Sequence, residues 1–252
     1  MKLAAAVMTI EGREALLEQT LRTLRAGCPD ELGVVLALGS PGTEAPEGEL
    51  ASRINPSMWE LAAKRPPIYR LTVNMWNAYN ALLTLRPDAD VYAVFEDDIV
   101  ASSHWYKVAE FATRVCSGWG RSWGCSLCSS HSDATYYTML PRRGNAGILA
   151  HRDALQFWGQ QAMLYSPMAL SRLRDYTRRA LDAWQDDAGF EESDSCPNFR
   201  LVGDQLVKWF FYESQANLYC TDPSVARHVG NDCTWKPGPS IATREPTLRF
   251  ST

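Results

Sequence analysis

The sequence predicts an α/β protein with a mostly parallel, open sheet covered by helices on both faces. Three observations carry this expectation. Short, unbroken apolar runs alternate with segments of helical periodicity through the first half of the chain. Strands buried on both faces read as such runs, and pairing them in parallel needs crossover connections. One run, Val91 to Phe95, leads directly into three acids, Glu96-Asp97-Asp98, which puts charge at a carboxyl end of the sheet, where open α/β sheets bind their ligands. Finally, 252 residues are enough to bury one sizeable core, so a single domain over 1–252 is expected.

In chain order, residues 3–9 form a buried strand and 12–26 a helix with Leu17, Leu21 and Leu24 on one face. A second strand covers 33–38. Gly39 to Gly48, rich in Gly, Pro and Glu, reads as a loop. The pattern then predicts a helix over 49–63 stopped by Pro66 and Pro67, a third strand over Ile68 to Val73, a helix over Asn74 to Leu85, and the fourth strand. Ser102 or Ser103 would cap the next helix, whose apolar face is Trp105, Val108, Ala112 and Val115. The second half is less regular. Cys125 to Thr138 has no clear assignment. Ala146 to Ala150 reads as a strand, Asp153 to Gln161 and 168–185 as helices, and Asp186 to Pro197 as an acidic loop. Asp204 begins a helix with Leu206, Val207, Phe210 and Phe211 on its apolar side, and the tail after Trp235 is expected to wrap the surface.

A charged fraction of 21% beside a hydrophobic fraction of 46% is that of an ordinary soluble globular protein. A net charge of −4 excludes a global positive field that would draw in nucleic acid or an anionic membrane, although Arg142 with Arg143, or Arg172 to Arg179, can still form a local basic patch. The apolar start, Met1 to Ile10, is too short to span a membrane, and no other run reaches the roughly 18 apolar residues required. The odd count of seven cysteines and the lack of a convincing signal segment lead to the expectation of a reducing, cytoplasmic setting. Cys125-x-x-Cys128 with His131 invites a zinc reading, but a structural zinc site wants two spaced ligand pairs and no second pair follows. The cysteines are therefore expected to be reduced and structural.

Four segments carry chemistry. Three adjacent acids at a strand end repel one another unless a cation sits among them. Mg²⁺ or Mn²⁺ takes few protein carboxylates and completes its shell with water and phosphate oxygens, which suits a nucleoside diphosphate. The plain alternative is a solvated loop or a helix N-terminus. In Arg143-Gly144-Asn145-Ala146-Gly147, Gly144 and Gly147 would let the backbone approach a sugar or diphosphate, or would simply make a turn. Asp204, in Val202-Gly203-Asp204-Gln205, can accept a proton from a hydroxyl or cap a helix. His228, in Pro223-Ser224-Val225-Ala226-Arg227-His228-Val229-Gly230, is an acceptable Mn²⁺ ligand beside a carboxylate, or an ordinary structural histidine.

Together these segments resemble the GT-A glycosyltransferase fold. That fold carries, in order, an Asp-x-Asp type motif ending a strand, a glycine loop, an acid at a helix start and a late His. Here the order is Glu96-Asp97-Asp98, Gly144 to Gly147, Asp204 and His228. The text Tyr92 to Val100, the segment Pro223 to Gly230, and Thr9-Ile10-Glu11-Gly12-Arg13 before a Leu-patterned helix are similar to the N-acetylglucosaminyltransferase IV family and its relatives. The resemblance implies a nucleotide-sugar-binding half over 1–100, an acceptor-binding and catalytic half over 101–235, and a tail over 236–252. It implies that Asp98 and His228 bind Mn²⁺ or Mg²⁺, and that Glu96 or Asp97 touches the donor ribose or holds metal-bound water. Thr9, Arg13 and either Asn77 or Asn80 would line the nucleotide pocket. Asp204 would be the general base of an inverting displacement. The activity implied is a hexosyl transfer from a nucleotide-sugar, with UDP as its carrier, to a hydroxyl on a glycan, a small molecule or a modified nucleic acid. A chain this short, without a membrane span, fits a cytoplasmic bacterial or viral enzyme better than a secretory-pathway one. Three other classes stand beside this one: a glycosyltransferase of hydroxylated bases in DNA, a nucleotidyltransferase, and a non-catalytic nucleotide-sugar binder. The nucleotidyltransferase is disfavoured because the loop from Thr9 to Arg13 has one Gly.

Overall fold

The computed structural model describes residues 1–28, 32–64, 67–128, 137–143, 146–157, 160–185 and 203–229. Strand β1 (Leu3–Thr9) is followed by helix α1 (Glu14–Ala26), β2 (Val34–Leu38), β3 (Leu50–Arg53), α2 (Pro56–Ala63), α3 (Pro67–Leu85), β4 (Val91–Glu96) and β5 (Ile99–Ala101). Then come α4 (Trp105–Trp119), β6 (Trp123–Ser126), β7 (Tyr137–Arg143), β8 (Ala146–His151), β9 (Ala162–Tyr165), α5 (Pro167–Gln185), α6 (Gly203–Ser214), β10 (Asn217–Asp222) and β11 (Ala226–His228).

Among the described residues, nine strands form one sheet in the order β3-β2-β1-β4-β9-β6-β10-β8-β7, while β5 and β11 pair as a separate ribbon. Only β9 and β8 run against the other seven. The α/β class and the mostly parallel, open sheet are therefore as expected for a GT-A type chain. The helices cover both faces. Ala5 and Val7 of β1 pack with Leu17, Leu21 and Leu24 of α1 and with Trp105 of α4. Ala4, Ala6 and Met8 pack with Met75, Ala78 and Leu82 of α3 and with residues of α5 and α6. Successive side chains of a strand point to opposite faces, so a strand buried on both sides must be apolar throughout. This is why β1 reads as an unbroken run.

Several expected elements differ. Residues 49–63 are not one helix. Leu50 to Arg53 pair with Val35 to Leu38 as an edge strand, and the helix starts only at Pro56, where Asn55 Oδ1 accepts from Ser57 N–H at 2.9 Å. Proline at the first helical position and asparagine before it form a strong start signal. No strand lies over Ile68 to Val73, because α3 begins at Pro67 and runs through. Tyr69 and Val73, one helical turn apart, join Ile54 and Leu181 in a common cluster, so tertiary packing overrides the β-branched local text. Among the described residues, the helix expected near 153–161 is a single 3₁₀ turn, Ala154–Gln156, and Phe157 is already extended. Helix α4 is not side-chain capped at its first turn; Ser102 Oγ instead accepts from His104 N–H, and the buried face is Trp105, Tyr106, Ala109, Ala112 and Cys116. The acidic loop, His131 and the tail after Trp235 lie outside the described residues. No helix among the described residues is long and apolar enough to cross a membrane.

Candidate functional site

The sheet order reverses between β1 and β4: β2 lies on one side of β1 and β4 on the other. Their carboxyl ends, Thr9 and Glu96, flank that switch point, where the connections diverge and leave a crevice. Thr9 Oγ1 donates to Asp97 Oδ2 at 2.7 Å, so the last residue of β1 is tied to the turn that follows β4. The turn that carries Asp97 and Asp98 is held from below by α1. Thr20 Oγ1 lies 2.7 and 2.8 Å from the carbonyls of Asp97 and Ile99 and accepts from Ile99 N–H at 3.0 Å. Thr20 is fully buried and was not among the sequence candidates. The signal for it is a polar residue inside the Leu17, Leu21, Leu24 stripe.

Arg13 reaches the same turn from the other side. Gly12 sits at φ +84°, a left-handed conformation that glycine adopts without a Cβ penalty, and the chain turns there into α1. Arg13 Nε stands 2.9 Å from Asp97 Oδ1 as an ion pair, and its Nη2 donates to Asp98 Oδ2. His228 arrives on β11, whose antiparallel pairing with β5 sets His228 opposite Ile99, and Val229 N–H donates to Asp98 O at 2.8 Å. That register holds His228 Nε2 at 2.9 Å from Asp98 Oδ2 and 3.9 Å from Glu96 Oε2. Ligand atoms of Glu96, Asp98 and His228 all lie within 4.8 Å of one another.

Burial governs the charges. Asp97 and Asp98 are only 3% and 2% exposed. Burial raises the Asp97 carboxyl to about 6, against the opposing pull of Arg13 and Thr9. Burial also works to raise Asp98, but His228 and Arg13 outweigh it and hold that carboxyl below its usual range. Burial works to lower Arg13, and the two aspartates overcome it, so its guanidinium is held in the charged form. Asp98 Oδ1 and His228 Nδ1 are buried without a hydrogen-bond partner. Burial pushes the Cys128 thiol up to about 12, with Glu96 and Asp98 adding to the effect, so its sulfur stays protonated. Cys125 is likewise raised by burial, next to Cys116.

A cavity of about 310 Å³ opens beside this turn, lined by Thr9, Arg13, Glu96 and Asp97 together with Trp59, Leu71 and Asn74. Thr9 and Arg13 both line this cavity. Asn77 and Asn80 do not line it. Asn77 is tied to the edge strand, its Nδ2 donating to Ser52 O and its Oδ1 accepting from Ser52 Oγ, both at 3.0 Å. The asparagine in the wall is Asn74, one turn earlier on α3, 4% exposed, with its Nδ2 donating to Thr9 O. Gly39 makes room for it: a Cβ there would come within 2.6 Å of Asn74 Nδ2. Gly147 pairs with Asp222, the last residue of β10, and so lies at the same carboxyl edge of the sheet. Gly144 and the side chain of Asp204 lie outside what is described. The backbone of α6 begins at Gly203, at φ +46°, and Gly203 N–H donates to Thr72 Oγ1 at 3.1 Å, next in sequence to the cavity-lining Leu71.

The chain is similar to solved structures. One is mannose-1-phosphate geranyltransferase from Thermus thermophilus, at 16% identity over 88% of this chain and 76% of that one, with a TM-score of 0.47. Another is S. aureus TarS 1-349, at 12% identity over 87% of this chain and 58% of that one, less than two thirds of its length, with a TM-score of 0.46. At these levels neither likeness carries a residue's role across. No protein-family model and no curated protein matches the sequence.

Proposed function

We propose that the protein is a metal-dependent glycosyltransferase that uses a nucleotide-sugar donor, with UDP as the carrier, and a hydroxyl acceptor. The observation that carries this is the convergence of Glu96, Asp98 and His228 at the switch point, with Asp98 Oδ1 buried and partnerless beside a cavity that opens onto Glu96. A buried carboxylate oxygen with nothing to accept from is costly, and oxygen and imidazole ligands together suit Mn²⁺ or Mg²⁺. The donor set therefore fits a divalent cation. Bound there, the ion would supply a Lewis acid that neutralises the leaving diphosphate.

The protein's own residues do the rest. Asp98 and His228 hold the cation, and Glu96 completes the set or holds its water. Asp97, fixed by Thr9 and Arg13, keeps the turn in register. Thr9, Arg13 and Asn74 line the donor cavity, and Trp59 and Leu71 give it an apolar wall for the base. Gly144 and Gly147 let the backbone approach the sugar or diphosphate. Asp204 takes the proton from the attacking acceptor hydroxyl in an inverting displacement. A thermal-shift screen of nucleotide-sugars with Mn²⁺ and with EDTA tests the reading. One donor should raise the melting temperature only with the metal present. No shift for any donor under either condition would overturn it.

A further inference from the structure

Asp98 Oδ2 is contacted by two groups at once, Arg13 Nη2 and His228 Nε2. Arg13 also ion-pairs with Asp97, so one guanidinium compensates both buried acids of the turn. A divalent ion held by Glu96, Asp98 and His228 would stand directly against that guanidinium. Like charges at such a distance, in a buried setting, oppose each other strongly. The two cations compete for one carboxylate. Arg13 has somewhere to go, because it lines the cavity together with Thr9, Ser40 and Asn74, and a guanidinium fork matches phosphate oxygens.

We propose that Arg13 is the built-in counter-ion of the acidic turn, and that a divalent cation binds Asp98 only by exchanging with it. The freed guanidinium then turns to the donor's diphosphate. This rests on the metal-dependent reading above and adds an order to it: Mn²⁺ alone binds weakly, because it must displace Arg13 with nothing to receive it. The diphosphate draws Arg13 away and so makes room for the metal.

The test is Mn²⁺ binding without nucleotide, read by electron paramagnetic resonance of the free ion. Arg13→Gln should bind Mn²⁺ at least about tenfold more tightly than the wild type. Arg13→Lys, a point charge that cannot bridge both acids, should fall between. Mn²⁺ should also raise the melting temperature of Arg13→Gln more than that of the wild type, and Arg13→Gln combined with Asp98→Asn should lose the gain. Should Arg13→Gln fail to fold, Arg13→Lys decides, with a gain of about threefold expected. If wild type and Arg13 variants bind Mn²⁺ equally, the exchange is wrong while the metal site stands. If none of them binds Mn²⁺, with or without UDP, the metal reading and the exchange fall together.

Discussion

Thr9 Oγ1 donates to Asp97 Oδ2 at 2.7 Å, joining the end of β1 to the turn after β4 across the point where the strand order reverses. The carboxylate it holds is also displaced in its titration. Burial raises Asp97 from its usual 3.8 to about 6. The folded protein therefore holds this proton more tightly than the unfolded chain. The associated stability is fully present below about pH 4 and is lost as the pH rises through about 6. Asp97→Asn removes that dependence. Between pH 4 and 6 the wild type should lose stability relative to the variant, by about 3 kcal/mol at most. Urea unfolding of both proteins across this range measures it, and parallel profiles would refute the buried-acid account.

Thr20 supports the acidic turn from a buried position on α1. Thr20→Val keeps the shape and removes the hydroxyl, leaving the Ile99 N–H and one carbonyl without a partner. A loss of about 1–3 kcal/mol follows from the cost of unsatisfied buried polar groups, to be read by chemical denaturation. A loss within about 0.5 kcal/mol, ordinary for an unimportant surface site, would show that the hydroxyl is dispensable.

Asp98 and His228 are the central metal ligands of the proposed site. Nucleoside diphosphate should bind the wild type more tightly with Mn²⁺ than with EDTA, by calorimetry. Asp98→Ala should abolish that difference while the circular dichroism spectrum is retained, and His228→Ala should reduce it. Equal wild-type affinity under both conditions would sink the metal claim.

Asp204 at the start of α6 separates two chemistries in one substitution. As general base it acts only when the acceptor attacks, so Asp204→Asn should lower kcat by about 10²–10⁴ with little change in donor affinity. α6 begins at Gly203, so Asp204 lies within the first turn and not at the cap. As a first-turn acid that only complements the helix dipole, its replacement by asparagine would cost about 0.3–1 kcal/mol of stability and leave the rate almost untouched. Near-normal turnover would return Asp204 to that structural role and move attention to Glu191, Glu192 and Asp194.

The sequence by itself determined the strands of the parallel half, because β1, β2 and β4 are buried on both faces and must be apolar throughout. It also determined that three acids end such a strand. It misread residues 68–73, where the β-branched text is local but the packing of Tyr69 and Val73 against Ile54 and Leu181 is not. It offered Asn77 or Asn80 for the nucleotide pocket, whereas Asn77 is tied to the edge strand and the asparagine lining the cavity is Asn74. Tertiary structure decided the geometry in which groups meet at the acidic turn, and added Thr20 to them. Thr20, Arg13 and His228 reach it from a helix face, a loop with left-handed Gly12, and a ribbon pairing with β5. Periodicity specifies which face of an element is buried. The register of strands distant in the chain is fixed by the packed sheet, and with it the 2.9 Å between His228 and Asp98.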